Sequence, residues 1–168
     1  MFRKTHRVRQ TLLVVGEGDC EEAFLKHLRT LYCSGGVGVA VTICNAHGKG
    51  PENVIEHTAR KARIYSYDQR LAFLDTDIAW TDKLKKDARK SKIEMIGSTP
   101  CLEGMLLSIL ERHSPEHSPN CKKALQQLLG VDLTERLHYV QPFPIAVLEA
   151  ARQRISELHR LLLYFEGH

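Results

Sequence analysis

The chain has 168 residues, of which 43% are hydrophobic and 26% charged, close to ordinary globular usage, which argues against a disordered chain and against a membrane protein. That length fits one domain, 1–168, with a core large enough to fold without disulfide or metal staples. A net charge of +4 permits nucleic acid as a partner without announcing it.

The positive excess is local. It lies in a basic amino-terminal arm, residues 1–10, with Arg3, Lys4, Arg7 and Arg9, and in Lys83, Lys85, Lys86, Arg89, Lys90 and Lys92. The plain reading of both is a solvated terminus and a solvated helix face. Five cysteines, Cys20, Cys33, Cys44, Cys101 and Cys121, form no CxxC pair and are odd in number, so the sequence reads as a reduced, cytoplasmic protein. The arm is followed by an apolar run too short for a secretory core and ending in charged residues, so no export signal is expected. No stretch is long and apolar enough for a transmembrane span, and no membrane partner is expected.

Leu12 to Val15 form an apolar, β-branched run bounded by Gly16 and Gly18, as a buried parallel strand requires. Cys20 to Tyr32 then read as a helix, with Phe24, Leu25, Leu28 and Leu31 on one face and a capping box from Asp19 to Glu22. Val37 to Cys44 predict a second strand. A loop through His47-Gly48-Lys49-Gly50 leads to a helix opened by Pro51 and ending near Ile64. A third strand at Leu71 to Leu74, a helix from about Trp80 to Lys90 and a fourth strand at Ile93 to Ile96 complete an α/β core over 11–100. Strands alternating with helices at these lengths predict a Rossmann-like, mostly parallel sheet of about four strands flanked by helices.

From 101 to 168 the pattern is helical: Leu102 to Arg112, Cys121 to Leu129, and one long helix Ile145 to Leu163 whose apolar residues recur at mixed three and four spacing.

Two acidic turns stand out. Glu17 follows the first strand, and Asp75 and Asp77 follow the third, in Leu74-Asp75-Thr76-Asp77. Loops at the carboxyl ends of neighbouring parallel strands share one edge, so these acids are expected to converge in a crevice. Converging carboxylates with no evident matching cation suggest a hard divalent ion, magnesium or manganese, and two or three carboxylates about such an ion suit phosphoryl chemistry. The plain alternative is that acids after strands are turn formers or helix caps.

Val14 to Leu25 (Val-Val-Gly-Glu-Gly-Asp-Cys-Glu-Glu-Ala-Phe-Leu) resembles the first Toprim motif, and Asp75-Thr76-Asp77 resembles its Asp-x-Asp motif. Ser98-Thr99-Pro100-Cys101-Leu102-Glu103-Gly104-Met105-Leu106-Leu107 is similar to the Ser-Asn-Pro-Cys-Phe-Glu-Leu-Trp-Leu-Leu segment of RloB-like proteins, Toprim-type proteins of bacterial restriction and phage-defence loci. The resemblance spans about Thr11 to Phe165. It implies a Toprim fold and a magnesium- or manganese-dependent phosphodiester site acting on DNA or RNA, with an ATPase often encoded nearby, and it leaves a homodimer open. It further implies Glu17 as general acid/base, Asp75 and Asp77 as metal ligands, Glu21 as a supporting acid with Glu22 as the alternative register, and Glu103 facing the same pocket. The chain departs from the family at Gly16, usually cysteine, at Leu102 for phenylalanine, and at Gly104-Met105 for Leu-Trp. Toprim topoisomerases and primases need a tyrosine domain or a larger body, for which 168 residues leave no room.

Among other residues, Lys49 in its glycine-flanked loop can meet a phosphate, although the loop lacks Walker A spacing. Glu103 equally suits helix-dipole stabilisation at a first turn. His113, His117 and Cys121 are four apart, yet Pro115 and Pro119 break the helix that would align them for zinc. Trp80 can stack on a base or anchor the start of a helix. Two further functions compete with a nuclease. One is a receiver-like phosphoacceptor at Asp75 with Ser98 or Thr99 nearby, which lacks a fifth strand ending in lysine. The other is a non-catalytic module binding nucleic acid or a partner protein.

Overall fold

The computed structural model describes residues 9–34 and 38–168; Arg3, Lys4, Arg7 and the first predicted residue of the second strand, Val37, lie outside them. Seven-residue strands β1 (Gln10–Gly16), β2 (Val39–Asn45) and β3 (Gln69–Asp75) and the shorter β4 (Glu94–Ser98) form one sheet in the order β2-β1-β3-β4. All neighbouring pairs are parallel. The fold class is therefore α/β with an all-parallel four-stranded sheet, consistent with a Rossmann-like arrangement.

Alternation along β1 shows why the sheet is buried on both faces. Leu12 and Val14 join one apolar cluster, Leu13 and Val15 the other, and all four are fully buried. On the Leu13 side pack α2 (Gly50–Ile64), through Val54 and Ile55, and α3 (Asp82–Lys90), through Leu84 and Ala88. On the Leu12 side pack α1 (Asp19–Tyr32), through Phe24, Leu25 and Leu28, and the carboxyl-terminal helices α4 (Leu102–Ile109), α5 (Ser118–Leu129), α6 (Ile145–Arg152) and α7 (Ser156–Glu166). The helical segment thus completes one covering layer of the sheet. Tyr139, in a short 3-10 turn (Arg136–Tyr139), ties this layer together: its ring lies 5.7 Å from that of Phe24 and its hydroxyl donates to the Cys20 carbonyl at 3.1 Å.

Two expectations are corrected. The expected long last helix is two helices, α6 and α7, separated by a break at 153–155. Arg152 turns inward at the break and bonds both carboxylate oxygens of Glu166, at 2.7 and 2.9 Å, and Glu149 at 3.1 Å, clamping the two helices against each other. The mixed apolar spacing records two faces rather than one stripe, and Ile145 is left exposed. The capping box does not form either. Gly18 caps α1 without a side-chain bond, while Asp19 and Glu22 both accept from Asn45 Nδ2 at the end of β2, at 2.7 and 3.1 Å. These acids lace α1 to the sheet instead of satisfying their own helix.

No helix among the described residues is long and apolar enough to cross a membrane. All five cysteines are free thiols.

Candidate active site

The chain leaves β1 for β2 on one side and returns to β3 on the other, so the carboxyl ends of β1 and β3 border the point where the winding reverses. Glu17 directly follows β1, and Asp75 ends β3. Glu17 reaches across the reversal and accepts from the Asp75 backbone N–H at 3.3 Å. Asp75 Oδ1 accepts from Ser98 Oγ, at the end of β4, at 2.9 Å and from the Leu102 N–H, in the first turn of α4, at 3.0 Å. The Asp-x-Asp loop is fixed from below, because the Thr76 and Asp77 N–H groups both donate to the Pro100 carbonyl at 3.0 and 2.9 Å. Asp77 Oδ2 in turn accepts from Ser118 Oγ of α5 at 2.6 Å. Residues from β1, β3, β4, α4 and α5 therefore meet at one edge.

Of the two adjacent acids on α1, Glu21 is the one turned to this edge. It is buried beside Gly18, whereas Glu22 turns toward the end of β2, accepting from Asn45 Nδ2 at 3.1 Å, and pairs with Lys26 at 2.6 Å. Gly16 makes that approach possible: a Cβ there would stand 2.8 Å from the Glu21 Cβ. Gly16→Ala is accordingly expected to destabilise the chain by about 1–3 kcal/mol, as overpacking does, read as a lower urea midpoint with an unchanged slope. Gly104 is crowded in a comparable way. A Cβ at that position would lie 2.6 Å from the Pro100 Cδ, 2.8 Å from Ser114 Oγ and 2.9 Å from the Thr99 carbonyl. Glu103, its neighbour in the first turn of α4, is buried and contributes to the same field.

The electrostatics show how crowded the acids are. Burial, followed by the repulsion of Glu21 and lesser contributions from Glu17 and Glu103, pushes Asp75 up to about 8 despite the opposing Ser98 bond. Burial and the neighbouring Glu103 and Glu17 push Glu21 up to about 7. Glu17 is also raised, by burial first, against the lowering bond from the Asp75 N–H. The thiols of Cys20 and Cys101 are each driven up to about 12, mainly by burial, so neither is suited to act as a nucleophile.

The expectation of acids without a matching cation is incomplete. Lys122 lies one helical turn beyond Ser118 on α5, and its ammonium is held charged chiefly by Glu103, with Asp75 and Glu21 contributing. No local signal in the sequence marks it. The four-residue spacing from Ser118 puts both on one face of a helix, but what that face meets is set by the fold.

Lys49 stands exposed at the same sheet edge, in a loop whose four residues His47, Gly48, Lys49 and Gly50 have φ of 58°, 78°, 69° and 82°. The Gly48 N–H donates to the Glu17 carbonyl at 2.8 Å, and Asn53 Nδ2 holds the Ala46 and Gly48 carbonyls, so the loop is pinned against Glu17. Trp80 is an anchor: its indole N–H donates to the Asp75 carbonyl at 3.1 Å and its ring covers Gly97. Cys121 is fully buried, with its Sγ donating to the Pro115 carbonyl at 3.1 Å.

Glu17, Glu21, Asp75, Asp77 and Glu103 offer oxygen donors alone, the chemistry a hard divalent cation prefers, and Asp75 and Glu21 are short of positive charge. Among the described residues no three His, Cys, Asp or Glu side chains are already drawn together as a metal shell. Compared with protein-family profiles, curated proteins and solved structures, the chain matches none.

Proposed function

We propose that the chain is a Toprim-type, divalent-metal-dependent phosphodiesterase that hydrolyses nucleic acid, in keeping with the RloB-like motifs. The observation that carries this reading is the meeting of Glu17, Glu21 and Asp75 at the reversal of the sheet, with two of them titrating near neutrality. In this reading Asp75, Asp77 and Glu21 hold magnesium or manganese, with Glu103 behind them, and the ion when bound supplies charge neutralisation at the phosphate and orientation of water.

The chain's own residues do the rest. Glu17, raised above the ordinary carboxyl range and held by the Asp75 N–H, is the group placed to take a proton from water or return one to the leaving oxygen. Ser98 and the Leu102 N–H fix one oxygen of Asp75, so that its other oxygen has a defined direction. Ser118 does the same for Asp77.

The test is cleavage of labelled single- and double-stranded DNA and of tRNA with magnesium or manganese. Glu17→Gln is expected to lose cutting by about 100-fold or more while remaining folded, with an unfolding midpoint no lower than that of the wild type. Cutting that persists in Glu17→Gln would remove the assignment of Glu17, and failure to cut any substrate with either metal would turn the conclusion toward a binding module.

A second reading, a phosphoacceptor at Asp75, has one observation in its favour: Lys122 supplies from α5 a lysine that this reading otherwise lacks in a fifth strand. Labelling of Asp75 by a small phosphodonor would favour it.

A further inference from the structure

The layer formed by α2 and α3 carries charge that the acidic edge does not explain. The two helices themselves hold eight Lys and Arg (Arg60, Lys61 and Arg63; Lys83, Lys85, Lys86, Arg89 and Lys90) against four acids, Glu52, Glu56, Asp82 and Asp87. That surplus of four equals the net charge of +4 of the whole chain, so the remainder is neutral.

Only Leu84 and Ala88 of α3 are buried; the rest of that helix serves no core. Both helices start at the carboxyl edge of the sheet, so their last turns arrive at the amino edge beside the start of β3. There Arg60, Arg63, Arg70 and Ser91 line an open cleft with Glu56 and Ala59. Arg70 is half-buried, with Nη1 donating to the Ser91 carbonyl at 2.8 Å, which sets its guanidinium in the cleft wall. Helix-dipole compensation accounts for cations in the last turns, Lys61, Arg63, Arg89 and Lys90, but not for Arg60, Arg70, Lys85 and Lys86. Lys83 is already paired with Asp87 at 2.6 Å.

We propose that this face docks the phosphate backbone of a nucleic acid, with Arg60, Arg63 and Arg70 receiving phosphates in the cleft and the exposed cations of α3 continuing the track toward the edge that holds Asp75. Guanidinium forks suit phosphate oxygens and lysines add point charge. No aromatic side chain lines the cleft, which fits backbone contact rather than stacked bases. The inference deepens the nuclease reading and rests on it for the class of polymer, but binding itself needs neither metal nor Asp75.

The experiment is fluorescence anisotropy of labelled duplex and single-stranded oligonucleotides over a salt series in EDTA. It compares the wild type with R60E, R63E and the double variant R60E/R63E, and with R160E on the opposite layer as the charge-matched control for each single variant. R60E/R63E is expected to bind about tenfold more weakly, with a log K against log salt slope shallower by about 1.5, while R160E binds as wild type. Circular dichroism and unfolding midpoints verify that the exposed substitutions leave the fold intact. Equal binding by R60E/R63E and wild type, absence of salt-dependent binding in wild type, or equal competition by polyglutamate would overturn the docking face. Cleavage by the same proteins is scored separately: a variant that binds weakly while wild type fails to cut upholds the face and removes the nuclease, and the reverse pattern does the opposite.

Discussion

Asp75→Asn is expected to abolish metal-dependent cutting and at the same time to make the metal-free protein more stable at pH 8 by on the order of 2 kcal/mol. The sign follows from the raised carboxyls. Asp75 moves from 3.8 to about 8 and Glu21 from 4.5 to about 7, so the folded state binds more protons than the unfolded chain across that interval. The stability these groups confer is complete below about pH 4 and is lost as pH rises toward 8. In EDTA the urea midpoint of the wild type should therefore fall from pH 5 to pH 8, and Asp75→Asn should flatten much of that fall.

Asparagine keeps an oxygen for Ser98 Oγ and the Leu102 N–H, so the substitution removes the charge without orphaning either donor. Magnesium should raise the melting temperature of wild type at pH 8 and leave that of the variant nearly unchanged, because an ion that binds only the folded cluster stabilises by mass action. A wild-type midpoint that does not respond to pH in EDTA would mean that the acids are not electrostatically coupled. A melting temperature unmoved by magnesium or manganese would remove the metal from the proposal.

The sheet was legible in the sequence because its evidence is local. Leu12 to Val15 and Leu71 to Leu74 are short apolar runs ending in acid or glycine, and a strand buried on both faces has little other way to read. The acids were legible for the same reason, since a residue immediately after a parallel strand can lie only at the carboxyl edge. What the sequence could not display was anything decided across the layer. Asp19 and Glu22 have the spacing of a capping box, but Asn45, more than twenty residues away, offers both a better donor than their own helix does. Ile145 to Leu163 has helical spacing throughout, and the break at 153–155 is bridged by Arg152 meeting Glu166. Glu21 and Glu22 are equivalent acids in sequence; the absence of a side chain at Gly16 is what lets the helix bring Glu21 to the edge.

Lys122 is the clearest case of a residue without a local signal, and it carries the second large expected effect. Exposed on α5, it acts on Glu103, Asp75 and Glu21 as a monovalent countercharge in a cluster short of positive charge. Removing that charge as Lys122→Met should act in two directions. The metal-free protein should lose stability at pH 8 and show a steeper decline from pH 5, because the acids then repel one another with less compensation. Metal binding should tighten by about fivefold, on the order of 1 kcal/mol, because a divalent ion no longer enters against a resident ammonium. Turnover separates two roles for the same lysine. If Lys122 only balances charge, cutting at saturating metal should match wild type and the gain should show only as a lower metal requirement. If its ammonium meets the phosphate, cutting should fall by tenfold or more at every metal concentration, since filling the metal site does not replace a hydrogen bond that the lysine makes in the transition state. An unchanged metal requirement together with an unchanged pH profile would mean that Lys122 stays in solvent and that the acids are balanced only by their own protons.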